Sequence, residues 1–272
     1  MPRKGVCFFI LTGKKASKKL LETSRTGNSA EREKNKMNTT VYYEDASLIL
    51  LNKPVGVLSQ GDDSGDEAMT DFILAREKER GETPYVGVVH RLDRNVGGVM
   101  VYAKKKETAA SLSAAVGDKE KFRKEYLAVV HGVPQEKEGT FVDYLSKAPF
   151  DSKVSVSATK KKGAKEAALS YRLLSTDGVL SLVLIRLHTG RTHQIRAQFA
   201  YHGLPLVGDK KYGAHDTAHT IGLHAFRLTF SHPVTGKTLC GESIPDESFP
   251  FPSDKLFNAL ATLAEDQGKR FR

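Results

Sequence analysis

From residue 41 onward, apolar residues fall in short runs bounded by Gly, Pro, Asn or Asp, a pattern typical of strands. The strands that this pattern predicts are Val41–Glu44, Leu48–Leu51, Val86–Val89, Val99–Ala103, Tyr126–Val130, Leu180–Ile185 and Leu223–Phe230. Further strands are expected between residues 139 and 187. The run Leu180–Ile185 is almost continuously apolar, which indicates a central strand buried on both faces.

Four segments instead carry apolar residues three or four positions apart, the spacing of one helical face. These residues are Met69, Phe72 and Ile73; Ala109, Leu112 and Val116; Ile195 and Phe199; and Leu256, Phe257, Leu260 and Leu263. We expect Thr192 to cap the third helix and Ser253 to begin the fourth.

Strands outnumber helices and occur in runs instead of alternating with helices. This order predicts an α+β fold, a single domain built on a large mixed, mainly antiparallel sheet with flanking helices. The chain has 272 residues, which suits one large domain. It contains neither of the glycine-rich motifs that cradle nucleotide phosphates, so no nucleotide cofactor is indicated.

The positive charge is concentrated at the start of the chain. Residues 1–36 hold ten Lys or Arg and three Asp or Glu, a net charge of +7 out of +10 for the whole chain. We therefore predict a basic N-terminal arm over residues 1–40, flexible or not translated, followed by the domain over 41–272. Two interpretations stay open: translation that begins at Met37, and an arm that anchors RNA.

Composition excludes several classes of protein. No apolar run approaches the roughly 20 residues that span a bilayer, so a membrane protein is not expected. Cys7 and Cys240 are far apart in the chain, which favours a cytoplasmic protein without a disulfide framework or a zinc site. The scattered histidines predict no other metal site. A monomer is expected, because no coiled-coil repeat is present.

Asp93 is the first candidate for chemistry. Arg91 and Arg94 flank it within four residues. Nearby guanidinium groups favour the ionised carboxylate, which is then available as a nucleophile or a base. The alternative is a surface ion pair beside a turn, since structural ion pairs also perturb carboxylates.

Two other segments concentrate polar groups suited to a polyanion. Arg191, His193, Gln194 and Arg196 place four donors in six positions, next to a predicted helix start where backbone N–H groups meet anions. In the strand after residue 121, Lys124 and Tyr126 lie on the same face, because strand side chains repeat every second residue.

Together these segments resemble the RluA-type pseudouridine synthases. The matching stretches are Leu50–Gly56 (LLNKPVG), His90–Asp93 (HRLD) with Gly98 and Ala103-Lys104, Lys124–Tyr126 (KEY), Thr189–Arg196 (TGRTHQIR), Gly203–Tyr212 (GLPLVGDKKY) and His232-Pro233. They span residues 41–250 in the order found in that family.

The resemblance implies that uridine in ribosomal or transfer RNA is isomerised to pseudouridine without a cofactor or a metal. It assigns Asp93 as the nucleophile, attacking uracil C6 or ribose C1′, and Arg196 as its basic partner. Tyr126 matches a tyrosine that stacks on the uracil and is placed to remove the C5 proton. Arg91 matches an arginine that fills the gap left by a flipped base. The residues expected to bind RNA are Arg91, His90, Arg94, Lys124, Arg191, His193 and Gln194.

The chain departs from the family pattern at two points. Val96-Gly97-Gly98 stands where many members carry Thr-Ser-Gly, and the 40 residues before the first predicted strand leave no room for an S4-type RNA-binding domain. Two other functions are weighed against the isomerase. One is a noncatalytic RNA-binding or ribosome-assembly protein with the same surface. The other is a hydrolase using Asp93 and His90, which the lack of a paired carboxylate disfavours.

Overall fold

Twelve strands form one sheet in the computed structural model, which describes residues 6–8, 37, 39–81, 83–118, 120–147 and 153–270. In chain order the strands are β1 Val6–Phe8, β2 Val41–Glu44, β3 Leu48–Lys53, β4 Gly87–Val88, β5 Gly97–Ala103, β6 Phe122–His131, β7 Glu138–Ser146, β8 Ser155–Ser157, β9 Lys165–Thr176, β10 Leu180–Leu187, β11 Leu223–Ser231 and β12 Thr238–Glu242. The helices are α1 Met69–Glu79, α2 Lys106–Val116, α3 Gln194–Tyr201 and α4 Ser253–Arg270, with a 3-10 helix over Lys210–Tyr212.

The sheet order is β2-β3-β5-β11-β6-β10-β9-β7-β8, with β4 paired to β5 and β12 to β11. Strand β11 is parallel to β5, and β1 is parallel to β12. The other pairs are antiparallel. The predicted α+β class, a single domain on a mixed and mainly antiparallel sheet, is confirmed.

Alternation along β3 divides its side chains between the two faces of the sheet. Ile49 packs in the apolar cluster that contains Met69 and Ile73 of α1. Leu48 packs in the cluster that contains Leu112 of α2. Helix α1 therefore covers one face of the sheet, and helix α2 covers the other.

The region around β10 also follows its sequence pattern. This strand lies between β6 and β9, as expected for a continuous apolar run. Helix α4 begins at Ser253 as predicted and buries Leu256 and Leu263. Phe257, expected on the same apolar side, is 48% exposed, because the buried side of the helix is narrower than the predicted one.

Several local expectations differ from the structure. Thr192 does not cap α3: the residue before Gln194 is His193, with left-handed backbone and no side-chain capping bond. Strand β12 was not predicted, since its polar and glycine residues form a strand only by pairing with β11. In the predicted arm, Val6–Phe8 pair with β12, and the rest, apart from residues 37, 39 and 40, lies outside the described residues. None of the helices described has the length and apolar character needed to cross a membrane.

Gly98 fixes the loop of Asp93 to the centre of the sheet. Its φ of +124° is a conformation that side chains rarely adopt. A Cβ at this position would lie 2.2 Å from the carbonyl oxygen of Ala225 on β11. The close approach of β5 to β11 therefore requires glycine directly after the loop that carries Asp93.

Candidate active site

A cleft of about 930 Å³ opens where the β4–β5 loop, strand β6 and the segment between β10 and α3 meet. This volume is within the range of ligand-binding sites. The predicted site residues that line it are His90, Arg91, Asp93, Lys124, Tyr126, Arg191, His193, Gln194 and Arg196. The topology therefore brings together residues more than 100 positions apart in the chain.

Arg196 links two carboxylates in this cleft. Its Nη1 donates to Oδ2 of Asp93 at 2.7 Å, and its Nε and Nη2 donate to the two carboxylate oxygens of Asp209 at 2.7 and 2.8 Å. Burial lowers the pKa of Arg196, but the bonds and charge of Asp209, followed by those of Asp93, raise it above its usual value. The guanidinium therefore stays charged and is held rigidly against Asp93.

Asp209 is a residue of the site that the sequence alone did not identify. It lies in Gly203–Tyr212, one of the stretches that match the family pattern. Its side chain is almost fully buried. A buried carboxylate needs a charged or hydrogen-bonding partner, and here the fork of Arg196 is that partner.

Tyr126 forms part of the cleft wall beside Asp93. The residue is only 7% exposed, and its hydroxyl forms no hydrogen bond with another residue in the described ranges. Burial and then the charge of Asp93 raise the pKa of Tyr126 above its ordinary value. Its side chain is therefore a neutral phenol that presents an aromatic surface to the cleft.

Lys124 brings an unpaired ammonium to the same wall. The residue is 7% exposed, and no acceptor for Nζ lies within bonding distance in the described part of the chain. Burial lowers the pKa of Lys124. A Cβ at Gly190 would lie 3.1 Å from Nζ, so the absence of a side chain there leaves room for the ammonium.

Arg91 and Arg191 add exposed cations to the lining of the cleft. Arg191 donates from Nε to the carbonyl oxygen of Glu166 at 3.0 Å, which fixes part of its side chain. Arg91 forms no hydrogen bond or ion pair with the other residues that are described. Both guanidinium groups are positioned to contact phosphates.

His90 lies in the lining of the cleft, with its ring held against strand β5. Its Nε2 accepts a hydrogen bond from the backbone N–H of Val101 at 3.2 Å, and its ring packs edge-on against Phe122. Burial, followed by the charge of Lys124, lowers the pKa of His90 to about 3. A neutral ring bonded to β5 supports the fold and offers no charge to RNA.

Gln194 lines the cleft and bonds to the loop before α3 through both ends of its amide. Its Oε1 accepts from the Thr189 hydroxyl at 2.7 Å and from the Arg191 N–H at 3.0 Å. Its Nε2 donates to the carbonyl oxygen of Ala168 at 3.1 Å. The side chain is buried and closes the loop before α3, so its amide is not presented to a ligand.

Arg94 does not line the cleft, contrary to the grouping expected from the sequence. Its Nη1 pairs with Asp66 at 2.6 Å, and its Nε donates to the carbonyl oxygen of Gly56 at 3.0 Å. The acidic loop before α1 therefore holds this side chain. Its role in RNA binding stays a prediction, and half of its side chain is exposed outside the cleft.

Lys53, a second residue missed from the sequence, supports the Asp93 loop from below. It is fully buried, and its Nζ donates to the carbonyl oxygens of Pro54, Val57 and Arg94 at 2.9, 2.6 and 3.1 Å. One ammonium thus joins the turn after β3 to the residue that follows Asp93.

His193 lies beside Asp93, the candidate nucleophile. Its Nε2 lies 3.7 Å from Oδ2 of Asp93, and its Nδ1 lies 2.9 Å from Oη of Tyr212. Its φ of 50° is the only positive value among the non-glycine residues described. Such a conformation costs about 1–3 kcal/mol and is common at functional sites. In the described ranges, His, Cys, Asp and Glu side chains form no group of three or more suited to a metal.

Residues 47–201 match the model of the RNA pseudouridylate synthase family. The chain belongs to that family. An RNA pseudouridine synthase of Bacillus subtilis, YlyB, is 34% identical over 241 residues, covering 86% of this chain and 74% of its own length. The ribosomal large subunit pseudouridine synthase D of Borreliella burgdorferi is 34% identical over 197 residues, covering 69% of this chain and 60% of its own length.

The pseudouridylate synthase fold is also found among solved structures. Human RNA pseudouridylate synthase domain containing 4 aligns with a TM-score of 0.65 at 21% identity, over 81% of this chain and 92% of that one. An uncharacterized RNA pseudouridine synthase of Synechocystis, slr1629, is 34% identical over 207 residues, and that match spans 63% of its length. The match to the Borreliella protein spans 60%. The chain therefore has the family's fold and aligns with a large part, but not all, of the length of these relatives.

Proposed function

We propose that this chain isomerises specific uridines to pseudouridine in structured ribosomal or transfer RNA, with Asp93 as the nucleophile. The observation that carries the proposal is the Asp93 carboxylate held by Arg196 at 2.7 Å in a cleft that also contains Tyr126. Family membership supports the reaction class. The scarcity of cysteines supports a cytoplasmic setting.

The reaction is an internal exchange of bonds. The Asp93 carboxylate adds to ribose C1′ or to uracil C6, and the C1′–N1 bond breaks. The uracil turns and C5 bonds to C1′, which displaces the carboxylate if it was attached there. The C5 proton is lost and N1 gains a proton, and a carboxylate attached to C6 is then eliminated, so Asp93 is recovered unchanged. Covalent capture divides one difficult step into easier ones. Arg196 keeps the carboxylate oriented throughout.

Tyr126 is proposed to face the extruded uracil through its ring. Because its pKa is raised, its phenolate is scarce at neutral pH. Tyr126 can accept the C5 proton only as the phenolate, after its own hydroxyl proton has been lost. We therefore assign stacking on the uracil as the primary role of Tyr126. Removal of the C5 proton by Tyr126 follows RNA binding, once the bound RNA has changed the surroundings of the hydroxyl.

Arg91 is proposed to replace the flipped base in the RNA helix. It is exposed at the cleft and makes no bond to another described residue, so its side chain can enter the stack. Removing a base from its stack costs a few kcal/mol. A cation that fills the gap offsets part of that cost and also contacts the backbone.

The noncatalytic alternative explains less of the geometry. In a cleft that only bound RNA, the Asp93 carboxylate would repel phosphates and weaken binding. A carboxylate held by Arg196 beside an aromatic wall is instead suited to covalent chemistry. The hydrolase alternative is disfavoured, because Nε2 of His90 already accepts the N–H of Val101 and the lowered pKa of the ring makes it a weak base.

Site-resolved mapping of pseudouridine in cells with and without this gene tests the proposal. We expect one or a few positions in ribosomal or transfer RNA to lose the modification, and wild-type protein to restore it. Protein carrying Asp93→Asn serves as the matched control and should not restore it. Identical maps from cells with and without the gene would show that the chain has another function.

A further inference from the structure

We infer that Tyr212 and His193 form a positioning pair that directs an imidazole N–H at one oxygen of the Asp93 carboxylate. The inference rests on the proposed function, because it assigns the pair a role in orienting the nucleophile. It concerns side chains that the reaction as written does not use. The pair is connected by hydrogen bonds to the loop before β8, outside the β4–β5 loop.

The single proton of the Tyr212 hydroxyl fixes the direction of its hydrogen bond to His193. The backbone N–H of Val154 donates to Oη of Tyr212 at 2.9 Å, which occupies one lone pair. Burial raises the pKa of Tyr212, so the hydroxyl keeps its single proton. That proton has one acceptor within reach in the described structure, Nδ1 of His193 at 2.9 Å. With Nδ1 accepting, a neutral imidazole carries its proton on Nε2.

The Nε2–H of His193 points to a specific oxygen of Asp93. Nε2 lies 3.7 Å from Oδ2, the oxygen that already accepts from Arg196 at 2.7 Å. This separation is longer than a hydrogen bond, and such contacts often tighten when substrate binds. Oδ1 has no hydrogen-bond partner in the described ranges. Arg196 therefore holds Oδ2, His193 adds a second donor to the same oxygen when the contact tightens, and Oδ1 is left to attack.

A neutral imidazole suits this role better than a second cation. Burial lowers the pKa of His193, Asp93 raises it, and Arg196 lowers it again. Lys211 and Asp209 face the same ring with smaller and opposing effects. The net direction is downward, so the ring is neutral near pH 7. It orients the carboxylate without withdrawing the negative charge that makes Oδ1 nucleophilic.

The backbone of His193 supports a functional reading of the pair. Its left-handed conformation is unfavourable for a residue with a side chain, and glycine would relieve the strain. Arg196 lies 5.2 Å from the centre of the Tyr212 ring, which ties the pair to the same guanidinium that holds Asp93. Backbone strain at His193, which lies beside the charged Asp93 and Arg196, is typical of a functional site.

Kinetic measurements on a stem-loop RNA that carries the mapped uridine test the inference. We expect His193→Ala and Tyr212→Phe to lower kcat about ten-fold with KM within about two-fold, since ground-state RNA contacts remain. His193→Gln should keep kcat within about three-fold of wild type, because its amide N–H can replace Nε2–H. It should also lose the acid limb that protonation of the imidazole gives to the wild-type pH profile. The exposed Tyr201→Phe is the control and should resemble wild type.

A spectroscopic test reads the tautomer without any RNA. In protein with ¹⁵N-labelled histidines, the His193 resonances are those missing from the spectrum of His193→Gln. We expect the Nε2–H form near pH 7.5 in wild type and a mixture of tautomers in Tyr212→Phe. An Nδ1–H form in wild type, or a wild-type kcat and pH profile in His193→Ala, would overturn the inference. If the wild-type protein isomerised no uridine at all, that result would contradict the proposed function and leave the tautomer assignment untouched.

Discussion

The two oxygens of Asp93 have different surroundings, and this difference sets the chemistry expected at the scale of single residues. Arg196 bonds to Oδ2, while Oδ1 faces the cleft without a partner among the described residues. An attacking atom must be both oriented and unencumbered. The buried carboxylate of Asp209, which anchors the other side of Arg196, makes that orientation rigid.

Asp93→Asn should abolish pseudouridine formation and leave RNA affinity within a few-fold of wild type. The amide has nearly the same shape but lacks the negative charge of the nucleophile, while the phosphate contacts are untouched. Single-turnover assays and filter binding on the mapped RNA measure the two quantities separately. Equal activity of mutant and wild type would rule out Asp93 as the nucleophile.

Lys124→Gln should weaken RNA binding and its dependence on salt. We expect Nζ to contact a phosphate, because the ammonium lies in the cleft without a protein acceptor in the described ranges. Loss of one such contact reduces the slope of log K against log[salt] by about 0.7–0.9. Binding titrations at several salt concentrations measure the slope.

The exposed Lys78→Gln on α1, outside the cleft, is the control for charge alone. It should leave the salt slope close to that of wild type. A Lys124→Gln slope equal to that of the control would show that Nζ does not bind phosphate. A smaller slope with a normal kcat would separate this role from that of the nucleophile.

At the scale of elements, hydrophobic pattern predicted most of what carries the site. Strand β2 lies where its sequence pattern placed it, although its residues are only half-buried, and α4 begins where the spacing of its apolar face, which includes the buried Leu256 and Leu263, predicted. The start of α3 was misplaced, since the left-handed turn at His193 depends on contacts with Asp93 and Tyr212 that are distant in sequence. The role of Asp209 was missed for the same reason: its partner is supplied by the folded chain.

Lys53 joins two of these elements, and its loss should destabilise the fold. Lys53→Met keeps the aliphatic stem but removes the donors to three buried carbonyl oxygens, including that of Arg94. Unpaired buried acceptors cost about 1–3 kcal/mol each, with partial relief by relaxation. We expect the free energy of unfolding in urea to fall by about 3 kcal/mol. A loss no larger than the roughly 0.5 kcal/mol expected for the exposed Lys78→Met would contradict this role.

At the scale of the whole molecule, the sheet combines a charged cleft with deeply buried imidazoles. The cleft contains Asp93 among several cations, so the proposed RNA-binding surface also holds the negative charge proposed for the chemistry. His224 is buried, and the ring of His90 packs against Phe122 at the wall of the cleft. Burial, followed by Lys124, lowers the pKa of His90 to about 3, and burial, against Ser243, lowers that of His224 to about 4.

These two imidazoles should make the fold sensitive to mild acid. In the unfolded chain each ring takes up a proton near its ordinary pKa of 6.5, whereas in the folded chain it stays neutral until about pH 3 or 4. Between these values the unfolded state binds more protons, so the free energy of unfolding falls as pH falls. Each ring contributes up to about 1.4 kcal/mol per pH unit.

Urea denaturation at pH 7.0, 6.0 and 5.0 measures this dependence above the range in which most carboxylates titrate. His90→Gln and His224→Gln each remove one proton-binding group from the unfolded chain, so each should flatten the fall in stability by up to about 1.4 kcal/mol per pH unit. His219→Gln, at an exposed position, should leave the steepness unchanged. Because the comparison is between slopes, any pH-independent cost of a substitution cancels. Equal slopes in all four proteins would mean that the buried rings are protonated in the folded chain.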